Sequence, residues 1–324
     1  MTASLDYESL FTRLRDTLLD KATCVNRAEL ERDPATVSDR RELVLTELAD
    51  AQNRVYTSNL SDQQFWDCLV MRPFYANRKV KTIRKHEPAI QEALKDWRAL
   101  TPPGWSVTVP RNGSFRAGSE AMAFLKSRAH LRAPGALSAV VYAAAVLRRR
   151  RRHSSATPLL RMFVDAHQER FSHEDLKDIH AGMNGDAGLG LGLVTTFHFV
   201  MELGLPVVKP DKVLIRLVAR LGLIREYTKA SGRIVPIPSD PGERVIKKLQ
   251  GDPDFCWELQ RQFAVIAEKT NHSMRALDLI LVKLGQQAAP DMGYVRTICD
   301  DTPTCDVCGG SGDCRYYQER HRRR

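Results

Sequence analysis

Residues 181–224 read AGMNGDAGLGLGLVTTFHFVMELGLPVVKPDKVLIRLVARLGLI. Two apolar stretches with helical spacing follow one another here, each introduced by turn chemistry. The first begins near Val194, straight after Gly190-Leu191-Gly192. A tight glycine turn feeding a helix presents bare backbone N–H groups at the positive end of the helix dipole, a site for one phosphate with no base preference. The blander reading is that the glycines only permit close helix packing. This helix, Val194 to Leu203, ends at Gly204, and Leu205 to Pro210 lead to Asp211, where KVLIRLVARLGL begins. Asp211 is therefore either a plain N-cap, a role aspartate performs well, or a carboxylate held beside a restrained proline for chemistry.

Outward from this stretch the pattern stays helical. Leu5–Leu19, Ser38–Val55, Ser61–Arg98 with a break near Arg72-Pro73, Ala117–Arg132, Gly135–Arg152 and Pro241–Gly285 all carry apolar residues at three- and four-residue steps. Ser172, with Asp175 three residues on, forms a helix start. Strand-like alternation is confined to WSVTV at 105–109 and GRIVPI at 232–237. The fold class expected is mainly α. Three segments are expected: N-terminal helices at 1–60 that pack with the C-terminal lobe, a helical domain at 61–204, and a lobe at 205–324.

The C-terminal segment reads CDDTPTCDVCGGSGDC, with Cys299, Cys305, Cys308 and Cys314 in a C-x5-C-x2-C-x5-C run. Glycine, proline and aspartate make it a loop folded around something. Four thiolates suit a [4Fe-4S] cluster. Zinc also accepts four cysteines, although structural zinc sites usually pair one C-x2-C with a second; plain thiols or disulfides are the remaining choice. Cys24, Cys68 and Cys256 sit singly in helix-like stretches and read as small buried hydrophobes.

The chain has 324 residues, enough for two domains, and 49 Lys and Arg against 39 Asp and Glu, a formal charge of +10. That excess favours polyanions, nucleic acid first. No apolar run is long enough to span a bilayer, so no membrane partner is expected. No basic region followed by an apolar run opens MTASLDYESLF, which points away from secretion and toward a reducing compartment, cytoplasmic or nuclear. Arg148 to Arg152 form an unbroken arginine run, either a phosphate grip at a helix end or a solvated, locally disordered stretch.

Glycine hairpin, helix, LPVVKPD, a helix bearing Arg216 and a terminal four-cysteine loop occur in the order found in one family. The chain resembles the helix-hairpin-helix DNA glycosylases of the endonuclease III and MutY type, most specifically over Leu176–Leu223 and Leu279–Tyr316. The resemblance implies a two-lobed helix-hairpin-helix glycosylase fold, a [4Fe-4S] cluster on Cys299, Cys305, Cys308 and Cys314, Asp211 as the catalytic carboxylate, and double-stranded DNA as partner, with a monomer assumed. It also implies DNA contact at Gly190, Gly192, Thr195, Lys209, Lys212 and Arg216. Val194 stands where bifunctional members carry the Schiff-base lysine, so the implied activity is monofunctional: base release leaving an abasic site, without a lyase step. The first cysteine spacer is one residue shorter than the family's C-x6-C, and Asp300, Asp301 and Thr304 replace its basic loop residues. Phe74, Tyr75, Asn77 and Arg78 are candidate wedge or orphan-base contacts. Two other readings remain: a non-catalytic DNA-binding or phage-defence module of the same fold, and an enzyme acting on hypermodified phage-type bases.

Overall fold

The computed structural model describes residues 5–24, 27–56, 60–75, 80–98, 100, 107–108, 116–117, 123, 134–153, 159–163, 173–184, 189 and 191–322. Gly190, Asn77, Arg78 and the expected cap Ser172 lie outside them. The described chain is mainly helical. Its helices are α1 (Tyr7–Thr17, continued by a π turn Leu18–Ala22), α2 (Arg27–Arg32), α3 (Pro34–Asn53), α4 (Asp62–Val70), α5 (Arg72–Tyr75), α6 (Val80–Leu94), α7 (Pro134–His153) and α8 (Leu159–Phe163). They continue with α9 (His173–Asn184), α10 (Leu193–Glu202), α11 (Lys212–Leu221), α12 (Glu243–Gln250), α13 (Pro253–Thr270), α14 (Met274–Gly285) and α15 (Arg315–Arg322). Two antiparallel hairpins accompany them, β1 (Val107–Thr108) with β2 (Arg116–Ala117), and β3 (Glu226–Thr228) with β4 (Ile234–Pro236). The helical pattern expected from Ala117 thus starts in a strand, where Ala117 pairs with Val107. Among the described residues no helix is long and apolar enough to cross a membrane.

The chain divides into two compact units, one joining Met1–Arg54 to Pro206–Arg324 and the other formed by Val55–Leu205. In the first, α11 and α14 are the central pair, with α1 and α3 laid on α14 and α12 on α11. Every residue from Leu214 to Leu221 is buried, so α11 is enclosed on all sides rather than along one stripe. Two arginines, Arg216 and Arg220, are carried inside with it. Buried cations need partners, and the cysteine segment supplies them. Lys283 on α14 is equally buried and meets Glu47 of α3 at 2.8 Å.

The second unit centres on an aromatic cluster. Phe65 on α4 meets Phe199 edge-on at 5.3 Å and Phe163 at 6.0 Å, and the buried Trp66 donates its indole N–H to the Leu94 carbonyl at 2.7 Å. A capping box between Ser61 and Gln64 starts α4. Phe74 is 1% exposed, so it is core and not a wedge. The arginine run closes α7 as regular helix. Arg148 donates to the Arg98 carbonyl and Arg150 lies over the Phe163 ring at 4.6 Å, which corrects the expectation of local disorder for these two residues.

Candidate functional site

The segment Val207–Asp211 carries no regular structure, yet side chains from three helices hold its backbone. Gln260 of α13 makes a reciprocal pair with Val208: its amide oxygen accepts from the Val208 N–H and its amide nitrogen donates to the Val208 carbonyl, both at 2.8 Å. Asp278 of α14 accepts from the Lys209 N–H at 3.4 Å, and Gln250 at the end of α12 donates to the Pro210 carbonyl at 3.3 Å. Buried backbone polar groups that lack a strand or helix partner must find one elsewhere. Here they find three side chains, which makes an irregular segment rigid.

At its end stands Asp211. One carboxylate oxygen accepts from the Leu214 N–H at 2.9 Å, capping α11, and the other meets the Lys209 ammonium at 3.0 Å. The side chain is 21% exposed, so it reaches solvent while its position is set. The N-cap reading is observed, and the second oxygen is held by Lys209.

Asp278 is 6% exposed. Burial pushes its carboxyl from the ordinary 3.8 up to about 7; Lys209 and Arg275 act against that rise, and Asp211 adds to it. A carboxyl whose folded-state value lies above its unfolded one holds a proton in the native state that the unfolded chain has lost. Between about pH 4 and pH 7 this group therefore lowers stability as pH rises, and above pH 7 the loss is complete. Asp278→Asn is expected to flatten that part of the melting curve and to melt about 5 °C higher than wild type at pH 8. Calorimetry across that pH range is the check.

The other sites assigned from sequence fall out as follows. Gly192 is the N-cap of α10, and a Cβ added there would meet nothing within 4 Å. Close packing does not explain this glycine, which is exposed and whose carbonyl accepts from the Thr196 N–H at 2.9 Å. Thr195, in the first turn of α10, is half-buried, and Val194 is part of the same turn. Lys212 is 54% exposed and bridges Glu243 at 2.7 Å. Arg216 departs from the expected phosphate contact: its side chain is 7% exposed and pairs with Asp301 at 2.7 Å. The buried, fully surrounded helix that carries Arg216 turns it toward the cysteine segment instead.

That segment closes on the first unit. Cys299, Cys305, Cys308 and Cys314 line one small cavity together with Leu14, Leu217, Leu284 and Tyr316. Arg220, 2% exposed, forms its floor: it pairs with Asp240 at 2.7 Å, donates to the Asp300 carbonyl, lies under the Tyr316 ring at 4.8 Å and places an N–H 3.5 Å from the Cys299 sulfur. The Cys314 thiol lies 3.2 Å from the Arg220 carbonyl. On the other side α1 packs against the turn Gly309-Gly310. A Cβ on Gly309 would stand 2.9 Å from the Arg13 carbonyl and one on Gly310 2.7 Å from Leu14, so only glycine admits the helix there. Thr17 and Arg13 hydrogen-bond the same turn, and Arg13 also pairs with Asp313.

No protein-family model, curated protein or solved structure matches this chain. The site is therefore argued from its own chemistry. Among the described residues no group of three or more His, Cys, Asp or Glu is placed to hold a metal ion, although the four cysteines line one cavity. Burial pushes the Cys308 thiol up to about 11 and the Cys314 thiol up to about 12. Thiolates there need a compensating cation, which a metal centre supplies and Arg220 supplements. Of the lone cysteines, Cys24 and Cys256 are buried and Cys68 is only half-buried, so the expectation of a buried hydrophobe fails for Cys68.

Gln250, Gln260 and Asp278 were not singled out from the sequence, although they do most to position Asp211. One signal for Asp278 was available. It is a lone carboxylate inside ALDLILV, and a charge within an apolar run is rarely left without a task.

Proposed function

We propose that the chain is a monofunctional DNA N-glycosylase: it extrudes a damaged or modified base from double-stranded DNA and cleaves its N-glycosidic bond, leaving an abasic site. The observation that carries this reading is the carboxylate Asp211, fixed by Gln260, Asp278 and Gln250 at the end of an otherwise irregular segment yet reaching solvent. Departure of the base builds positive charge on the deoxyribose, as in glycoside hydrolysis. A preorganised carboxylate stabilises that charge without reorganising when the reaction occurs, and it orients or deprotonates the attacking water. The base leaves the stack to be reached. A net charge of +10 supports binding of the phosphate backbone, and Gly192 and Lys212 offer exposed contacts to it.

The four cysteines would hold a [4Fe-4S] cluster, with zinc as the alternative. The cluster is favoured over zinc by the spacing, because the run holds one C-x2-C pair where structural zinc sites usually hold two. Such a group would cross-link residues 299–314 into one loop, against which α1 and α11 pack through Thr17, Arg216 and Arg220. The chemistry proposed needs a carboxylate and water, so no step passes through the cysteines.

A second reading has one observation in its favour. Both Asp211 oxygens already have partners in Leu214 and Lys209, as in a plain N-cap of a DNA-binding or phage-defence module. Enzyme and module differ in the product. The enzyme converts a modified duplex to strands that break only on alkaline treatment. Because Val194 occupies the lysine position, borohydride is expected to trap no covalent DNA adduct. A trapped adduct would point to Lys209 or Lys212 as nucleophile and remove the monofunctional assignment.

A further inference from the structure

Asp278 costs the fold more than the hydrogen bond it makes. Its carboxyl is buried on α14 and accepts one long hydrogen bond, 3.4 Å, from the Lys209 N–H. An asparagine would accept the same bond through its amide oxygen with no charge to desolvate. The property that asparagine lacks is a change of charge. Lys209, whose backbone Asp278 holds, also sends its ammonium to Asp211 at 3.0 Å. Two carboxyl groups thus act on one lysine, one from inside the protein and one at the surface.

The charges that act on Asp278 are few. Lys209 and Asp211 belong to the irregular segment, and Arg275 lies on α14 itself. The neighbouring helices bring other charges, but these have partners of their own. Glu47 of α3 is taken by Lys283 and Tyr294, and Arg216 of α11 by Asp301. On α1, Arg15 acts on His272. The α13 helix adds only the neutral amide of Gln260 to this segment.

We propose that Asp278 is a positioning residue for Asp211: it fixes Lys209 and, by gaining or losing its proton, sets how much of the Lys209 cation Asp211 keeps. This rests on the glycosylase reading for its consequence, though not for its geometry. With Asp278 protonated, Lys209 neutralises Asp211. With Asp278 ionised, a second negative charge acts on Lys209 through space beside that of Asp211, and Asp211 presents more negative charge to the sugar. Near neutral pH both forms are populated, because burial brings the Asp278 carboxyl to about 7.

Selective ¹⁵N-lysine labelling of the full-length protein tests the geometry directly, with Lys209→Arg to assign the signal. The Lys209 amide is expected to shift with a midpoint near pH 7 in wild type and to lose that step in Asp278→Asn. In parallel, single-turnover base release is expected to rise about three- to tenfold from pH 6 to pH 8 in wild type and to stay flat over that range in Asp278→Asn. A Lys209 amide with no step near neutral pH overturns the proposal, and the wild-type titration gives that result even if the variant does not fold. Superposable pH–rate profiles of wild type and variant overturn it as well. If the amide step is present and lost in the variant while no duplex yields free base, the coupling of Asp278 to Lys209 stands and the glycosylase reading is what fails.

Discussion

Asp211→Asn is expected to abolish base release while leaving DNA binding intact. Asparagine caps a helix as well as aspartate does, so the Leu214 N–H keeps its acceptor and α11 keeps its start. What disappears is the negative charge beside the reacting sugar. Removing a single preorganised electrostatic or acid–base group typically slows an enzyme about 10²- to 10⁴-fold, and single-turnover rates at saturating enzyme should fall in that range. Affinity should stay level or rise slightly, because one repulsion toward phosphate is gone. Asp211→Ala separates the two roles of the residue. It should lose the same activity and, in addition, about 1 kcal/mol of stability through the missing cap. An Asp211→Asn protein as active as wild type would leave Asp211 a cap and nothing more.

The second large effect concerns the cysteines. The protein purified without oxidants is expected to be brown and to carry about four irons per chain. Cys308→Ser should lose the colour and melt about 10 °C or more below wild type, since a structural metal centre contributes its binding energy to folding. The reason lies in what the segment joins. Gly309 and Gly310 receive α1, Arg220 holds Asp300, and Arg216 holds Asp301. If the segment loosens, buried Arg216 loses Asp301 and Arg220 keeps only Asp240, which is costly inside a protein. Stoichiometric zinc without iron would replace the cluster by the alternative metal and leave the structural role in place.

The parts legible from sequence are those governed by local physics. Periodicity placed the helices, turn chemistry ended them, and the capping preference of aspartate started α11 at Asp211. The four cysteines grouped by their spacing do line one cavity. Tertiary placement was not legible by the same route. Arg216 looked like a phosphate contact because arginine is usually exposed; it is interior because α11 is enclosed by α14 on one side and the cysteine segment on another. Phe74 lies in the core of its unit, the more common fate of an aromatic at such a position. Gln260 and Asp278 sit far along the chain from Val208 and Lys209, and no local pattern links them. Their meaning comes from bonds to backbone groups that only the folded chain brings near.

Residue placement also sharpens what the acidic cysteine spacer does. Asp300 and Asp301 both serve arginines of α11, Asp300 through its carbonyl and Asp301 through its carboxylate. The spacer is occupied with holding the loop to the protein.

The most direct test of the central claim is detection of the free base by mass spectrometry after incubating the iron-loaded protein with duplexes that carry different damaged and modified bases. The account predicts release of one base or a related set, with an abasic strand that stays intact until alkali is added. Salt-sensitive binding to the same duplexes with no base released from any of them would contradict it.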